Sequence, residues 1–185
     1  MFGFETARLP LADELFLWFP NNIFIFQEQC RIIYFVIRRK IRLLLPIFWM
    51  VVIFVLSHQP AAVSSGQSGV FVEQLHHIVP SIDRQLLTFM IRKSAHIFAY
   101  FVLGILVFNA LHQQPKLHKQ KAHAAQLAIT ICILYAASDE FHQLFISGRS
   151  GEVGDIAIDS IAASIGIILT SCIRKYLERI SPRLR

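Results

Sequence analysis

Residues 138–159 read SDEFHQLFISGRSGEVGDIAID. Asp139, Glu140, His142, Arg149, Glu152, Asp155 and Asp159 stand there between two apolar runs, 124–137 and 156–173. If those runs cross a membrane, the polar stretch is a short connection at one face, and its first and last carboxylates belong to the ends of spans. Ionisable groups inside a span are costly and normally face a partner or a wet cavity. The fold and the site are therefore one question.

The composition points to a membrane. The 185 residues are 55% hydrophobic and 16% charged, with 16 phenylalanines, and the mean hydropathy is +0.52. These values suit a polytopic membrane protein better than a soluble domain. The pI of about 9.6 raises nucleic acid as a partner. However, the basic residues flank the apolar runs and neither form one solvated face nor interleave with stacking aromatics, so no nucleic acid is expected. Cys30, Cys132 and Cys172 show no CxxC spacing, and the last two fall inside apolar segments. Neither a disulfide framework nor a zinc site follows.

A hydrocarbon core of about 30 Å takes roughly 20 helical residues at about 1.5 Å each. Four segments reach or approach that length: 41–57, 95–111, 124–141 and 156–173. Pro46 falls near the start of the first, where early helical N–H groups lack intrahelical acceptors anyway. The third suffices only if it continues through Ser138 and Glu140 to Phe141. Internal repeats and low-complexity tracts are absent. The expected fold is all-α: a polytopic membrane protein built as a four-transmembrane-helix bundle over 41–175. An extension, 1–40, precedes it and a basic cytoplasmic tail, 176–185, follows.

Orientation comes from the connections. Arg38, Arg39, Lys40 and Arg42 precede the first span, and Lys116, Lys119 and Lys121 lie between the second and third. Arg174, Lys175, Arg179, Arg183 and Arg185 follow the fourth, whereas the other two connections carry only Arg84, Arg92, Lys93 and Arg149. The positive-inside bias then puts both termini in the cytoplasm, with 58–92 and 142–154 facing outward.

With that topology Lys93, His96, Asp139, Glu140, His142, Arg149, Asp155 and Asp159 share one depth, at or just beneath the outer interface. Helical spacing groups them: Lys93, His96 and Tyr100 on one face, Asp139 with His142 and Gln143, and Asp155 one turn from Asp159. Charges at helix ends commonly snorkel to water, which accounts for Arg92 and Glu152. It accounts poorly for Asp159, about 6 Å inside its helix at the standard rise, or for His96 at about 4–5 Å. A paired or functional cluster is the expectation.

Gly148, Gly151 and Gly154 predict tight turning with positive φ around Arg149, whose planar fork meets a carboxylate or a phosphate. Two roles stay open for it: a clamp onto Asp139, Asp155 or Asp159, or capture of an anionic ligand from a mobile segment. On the fourth span Ser160 with Ser164, and Ala162 with Gly166, set small residues four apart, which admits a neighbouring backbone closely.

Four motifs carry a family resemblance: SHQP at 57–60, RKSAHIFAY at 92–100, the block 138–155, and DIAIDSIAASIG at 155–166. Over residues 43–170 the chain resembles the VanZ-like family of bacterial membrane proteins, named for an accessory teicoplanin-resistance protein. The resemblance places the family's recurrent polar residues on Lys93, His96, Tyr100, Glu140, Gln143, Arg149, Asp155 and Asp159. Asparagine often stands in the family where this chain has Asp159, and glycine usually stands where it has Ala162. No settled biochemical activity comes with the resemblance, and an effect on glycopeptide susceptibility is implied by analogy alone.

Residues 21–37, NNIFIFQEQCRIIYFVI, are apolar but interrupted by Gln27, Glu28, Gln29 and Arg31, which predicts an interfacial helix rather than a span. They make a poor signal peptide because the basic cluster follows the apolar stretch; a translation start near that cluster is the other reading. Three functional classes fit the whole. In the first, a non-enzymatic protein of the bacterial cytoplasmic membrane binds a membrane lipid or a lipid-linked envelope precursor, with Lys93 and Arg149 meeting the anion. In the second, an intramembrane enzyme uses Glu140 or Asp139 as general base and His96 or His142 as acid or metal ligand. It ranks lower because HExxH, GxSxG and paired-metal spacings are missing. In the third, the charges pair helices or form a proton path. No cofactor or metal is expected, and the oligomeric state is left open.

Overall fold

The computed structural model describes residues 11–114, 117 and 120–180, with the backbone alone for 11–27, 62 and 67. Residues 1–10, Lys116, Lys119, Arg183 and Arg185, which entered the charge count or the N-terminal reading, lie outside the described residues. Among the described residues five long helices follow one another, with no strand: α1 (Leu11–Ser57), α2 (Ala61–Ile78), α3 (Arg84–His112), α4 (Lys121–Gln143) and α5 (Val153–Ile180). Among the described residues four stretches are long and apolar enough to cross a membrane: Glu28–Ser57, Arg84–His112, Lys121–Gln143 and Val153–Ile180. The chain divides into two compact units, Met1–Ile41 and Arg42–Arg185. In the first, the described side chains, 28–41, are exposed. The second holds the bundle and the site.

Three boundaries differ from expectation. An interfacial helix over 21–37 and a span from Ile41 were read as separate, but one uninterrupted helix, Leu11–Ser57, contains both. Arg38, Arg39 and Lys40 are good helix formers and do not stop it. Pro46 therefore sits deep inside a helix and is buried, so the account of it as an early-turn proline fails. Second, the connection 58–92 is not simply an outer loop. Helix α2 forms within it despite Gly66, Gly69 and three serines, with Pro60 at its N-cap and Val72 buried, and it packs with α3. Third, α3 begins at Arg84, because the Asp83 carboxylate accepts the Gln85 and Leu86 N–H groups at 3.0 and 3.3 Å; this is a standard N-cap. His96 thus lies about 18 Å along its helix at the ordinary rise, not one turn in.

The bundle is organised by one stripe per helix. On α3 it runs through Lys93, His96, Tyr100, Leu103, Val107 and Ala110, on α4 through Ala124, Ala128, Cys132, Ala136, Asp139 and Gln143, and on α5 through Asp155, Asp159, Ala163 and Gly166. Steps of three and four keep each stripe on one face. Each stripe is apolar toward one end of the bundle and turns polar at the other, the same end for all three. Glycine sets the close approach of α3 and α5: a Cβ at Gly104 would meet the Ala163 carbonyl, and one at Gly166 would meet the Phe101 carbonyl. Ala162, where the family resemblance leads one to expect glycine, is buried as alanine.

Helix α1 is tied to the others by Trp49 Nε1 donating to the Ala99 carbonyl at 2.9 Å and by Tyr135 OH donating to the Met50 carbonyl at 2.6 Å. At the far end Arg174 grips Asn109 Oδ1 through Nε and Nη2 at 3.1 and 2.6 Å, and Arg42–Gln113 and Lys121–Glu178 pair. Large apolar side chains such as Phe48, Phe98, Leu134 and Ile168 point outward on every long helix. On a soluble surface that would be an aggregation hazard; here it is the lipid-facing belt.

Candidate functional site

The polar ends of the stripes converge. Asp139, Glu140, Gln143 and Asp159 are each at most 5% exposed, because they continue faces that α4 and α5 already turn inward. Asp139 Oδ2 accepts from Ser57 Oγ at 2.9 Å, Tyr100 OH at 3.3 Å and Gln143 Nε2 at 3.3 Å, which joins α1, α3 and α4 at one atom. Glu140 Oε1 accepts from Gln143 Nε2 at 3.4 Å, and its Oε2 accepts the Glu152 backbone N–H at 3.0 Å, holding the approach to α5. Burying these carboxylates is tolerable because donors converge on them.

The connecting loop is built around that contact. Gly148 has φ +74° and is the position there that needs glycine for its backbone. Gly151 is needed for space, since a Cβ would stand 2.6 Å from the Glu140 carbonyl oxygen. Gly154 has neither constraint, so the expectation of positive φ at all three glycines holds at Gly148 alone.

Lys93 pairs with Asp155, and His96 Nδ1 lies 3.7 Å from Asp159 Oδ2. Arg149 does not make the carboxylate clamp. Among the described residues it forms no ion pair with Asp139, Asp155 or Asp159, and it is not loose. Its Nε donates to the Gln59 carbonyl at 2.9 Å, Nη2 to the Leu56 carbonyl at 3.3 Å and Nη1 to Gln143 Oε1 at 3.4 Å. The guanidinium caps carbonyls at and just past the end of α1, where regular helical donors run out, and reaches Asp139 and Glu140 through Gln143. Burial and the nearby charge of Arg92 pull its pKa below the ordinary arginine value, while Asp139 and Glu140 oppose the shift. Two of its five N–H donors are left over.

His142 stands apart from the cluster. It shares the α1-facing edge of α4 with Tyr135 and Asp139, its Nε2 lies 3.0 Å from His58 Nδ1, and the two rings stack at 5.2 Å beside Phe54. Lys93, His96, Gln143, Arg149 and Asp155 line a cavity of about 230 Å³ together with Arg92, with Tyr100, Asp139 and Asp159 buried beneath. A second cavity, of about 260 Å³ and mainly apolar, lies between α1, α2 and α3, and Arg92, His96 and Arg149 line it as well. Arg92, expected to snorkel to water, is thus a lining residue of both cavities, and Ser57, His58 and Gln59 contribute contacts that helical spacing alone does not indicate. The SHQP motif that contains those three was the available signal. No three His, Cys, Asp or Glu side chains among the described residues converge as metal ligands.

The family model VanZ/LLP1 matches residues 42–174. The chain belongs to the VanZ/LLP1 family. No curated protein and no solved structure gives a match. The matched VanZ/LLP1 segment contains the entire polar cluster, both cavities and the SHQP turn, whereas α1 upstream of Arg42 lies outside it.

Proposed function

We propose that this VanZ/LLP1 protein resides in the bacterial cytoplasmic membrane with both termini inside, and that its outward cavity binds the anionic head group of an envelope amphiphile, a membrane lipid or a lipid-linked precursor. The observation that carries the reading is the pair Arg92 and Arg149. Both line the same cavity. Arg92 makes no hydrogen bond or ion pair among the described residues, and Arg149 keeps two N–H groups unused. Of the carboxylates lining that cavity, Asp155 is committed to Lys93 and Glu152 is exposed at its rim. Two guanidiniums side by side repel, and an anion between them removes that repulsion and takes up their free donors. The adjoining apolar cavity supports an amphiphile over a free ion. If the ligand is a lipid-linked precursor, the protein would bear on glycopeptide susceptibility in the way its family's name suggests.

Thermal unfolding of the purified protein in detergent tests this. Phosphatidylglycerol should raise the wild-type midpoint, and phosphatidylcholine should not. A ligand that binds only the folded state raises its stability in proportion to the logarithm of concentration over Kd. Arg92→Ala should abolish the shift at an unchanged starting midpoint. A wild type that responds to no anionic lipid would refute the reading.

A further inference from the structure

Anion binding does not explain Asp159. A buried carboxylate close behind the cavity weakens attraction for an anion and carries its own desolvation cost. Yet it is 2% exposed, and its Oδ2, the atom that faces His96 Nδ1, has no hydrogen-bond donor among the described residues. Among the described residues His96 is the imidazole that lines both cavities, and its side chain is 28% exposed. With Nδ1 on the carboxylate side, Nε2 at the opposite edge of the ring is the nitrogen left for a ligand. A buried carboxylate behind an imidazole fixes the tautomer and steadies the imidazolium when the ring takes a proton. The 3.7 Å separation is longer than a hydrogen bond, as such contacts often are before substrate tightens them.

We propose that this site hydrolyses a phosphomonoester of a membrane amphiphile, an inference that rests on the anion-binding reading above. The phosphate dianion lies between Arg92 and Arg149, whose two charges match it. The aliphatic part lies in the apolar cavity against Ile53, Leu56, Phe71 and Ile91. His96 Nε2 takes a proton from a water whose oxygen bonds to phosphorus, and the phosphorus–oxygen bond to the lipid breaks. The same nitrogen then returns its proton to the departing oxygen. Phosphomonoester and water become alcohol and inorganic phosphate, with no other reactant. His96 is the catalytic residue and Asp159 a positioning residue.

The full chain in mixed micelles is assayed for inorganic phosphate with phosphatidic acid, phosphatidylglycerol phosphate and a polyprenyl phosphate, and lipid-induced thermal shifts are read in parallel. Wild type should release phosphate from at least one. His96→Gln should lower kcat about a hundredfold or more, the usual worth of a general acid–base group, and keep the thermal shift. Asp159→Asn should lower kcat about tenfold at unchanged KM and move the pH profile of kcat. If that variant does not fold, the partly exposed His96 still decides the matter. Arg92-dependent shifts without phosphate release from any of the three lipids, or release that survives His96→Gln, would overturn hydrolysis and leave binding standing. Absence of any Arg92-dependent shift would remove both.

Discussion

Arg149 Nε donates to the Gln59 carbonyl at 2.9 Å, tying the loop between α4 and α5 to the chain as it leaves α1. Ninety residues apart in sequence, the two close the polar end of the bundle. The arginine is thus both a structural cap and a lining residue of the proposed anion site, so its removal should show in stability before it shows in binding.

Arg149→Ala leaves the Gln59 carbonyl and Gln143 Oε1 without their donor, and the Leu56 carbonyl with the Gln59 N–H at 3.4 Å alone. A lost charged hydrogen bond with a part-buried partner left behind costs about 2–3 kcal/mol, and detergent unfolding should show a loss of that order. Arg149→Lys should recover less than half of it, because an ammonium cannot span three acceptors set around a planar fork. A midpoint unmoved by the alanine change would remove the capping role.

Asp139→Ala should cost on the order of 3 kcal/mol, since Ser57 Oγ, Tyr100 OH and Gln143 Nε2 all lose their shared acceptor inside the bundle. Tyr100→Phe removes one donor from an acceptor that keeps two others and should cost about 1 kcal/mol. Unfolding curves that rank these two changes in the opposite order would contradict the network.

The glycines separate space from propensity. Gly104→Ala puts a methyl against the Ala163 carbonyl at the α3–α5 crossing and should destabilise by about 1–3 kcal/mol, the ordinary cost of overpacking. Gly69→Ala meets nothing within 4 Å and should stabilise α2 by about 0.5–1 kcal/mol through helix propensity. Equal effects at the two sites would mean that the crossing is not tight.

Membrane orientation is open to labelling. In a background lacking Cys30, Cys132 and Cys172, single cysteines at Ser65 and Ser150 should react with an impermeant reagent applied from outside. A cysteine at Gln120 should react only after the membrane is breached, and outside labelling there would reverse the topology.

The helical spans and the gathering of these polar residues at one end of the bundle were legible because hydropathy and helical period are local properties. The inward turn of Asp139, Glu140 and Gln143 was legible too, since they extend the stripe Ala124, Ala128, Cys132 and Ala136. Following that stripe residue by residue would also have set His142 apart from the cavity. Helix α2 was hidden by glycines and serines that read as a linker, and the true start of α3 by weighing hydropathy above the cap at Asp83.

By itself the sequence determined that this is an all-helical membrane chain with its ionisable residues at the helix ends and its carboxylate cluster at one of them, because burying apolar surface and avoiding lone charges in lipid leave few other arrangements. Tertiary structure alone decided the partners. Any backbone carbonyl is as good an acceptor as another, so nothing in the string of residues pointed Arg149 to Leu56 and Gln59 instead of a carboxylate. The crossing of α3 over α5 at Gly104 and Gly166 sets α3 against α5, where Lys93 meets Asp155 and His96 meets Asp159. The same fold sets Arg92 beside a cavity without a hydrogen-bond or ion-pair partner among the described residues.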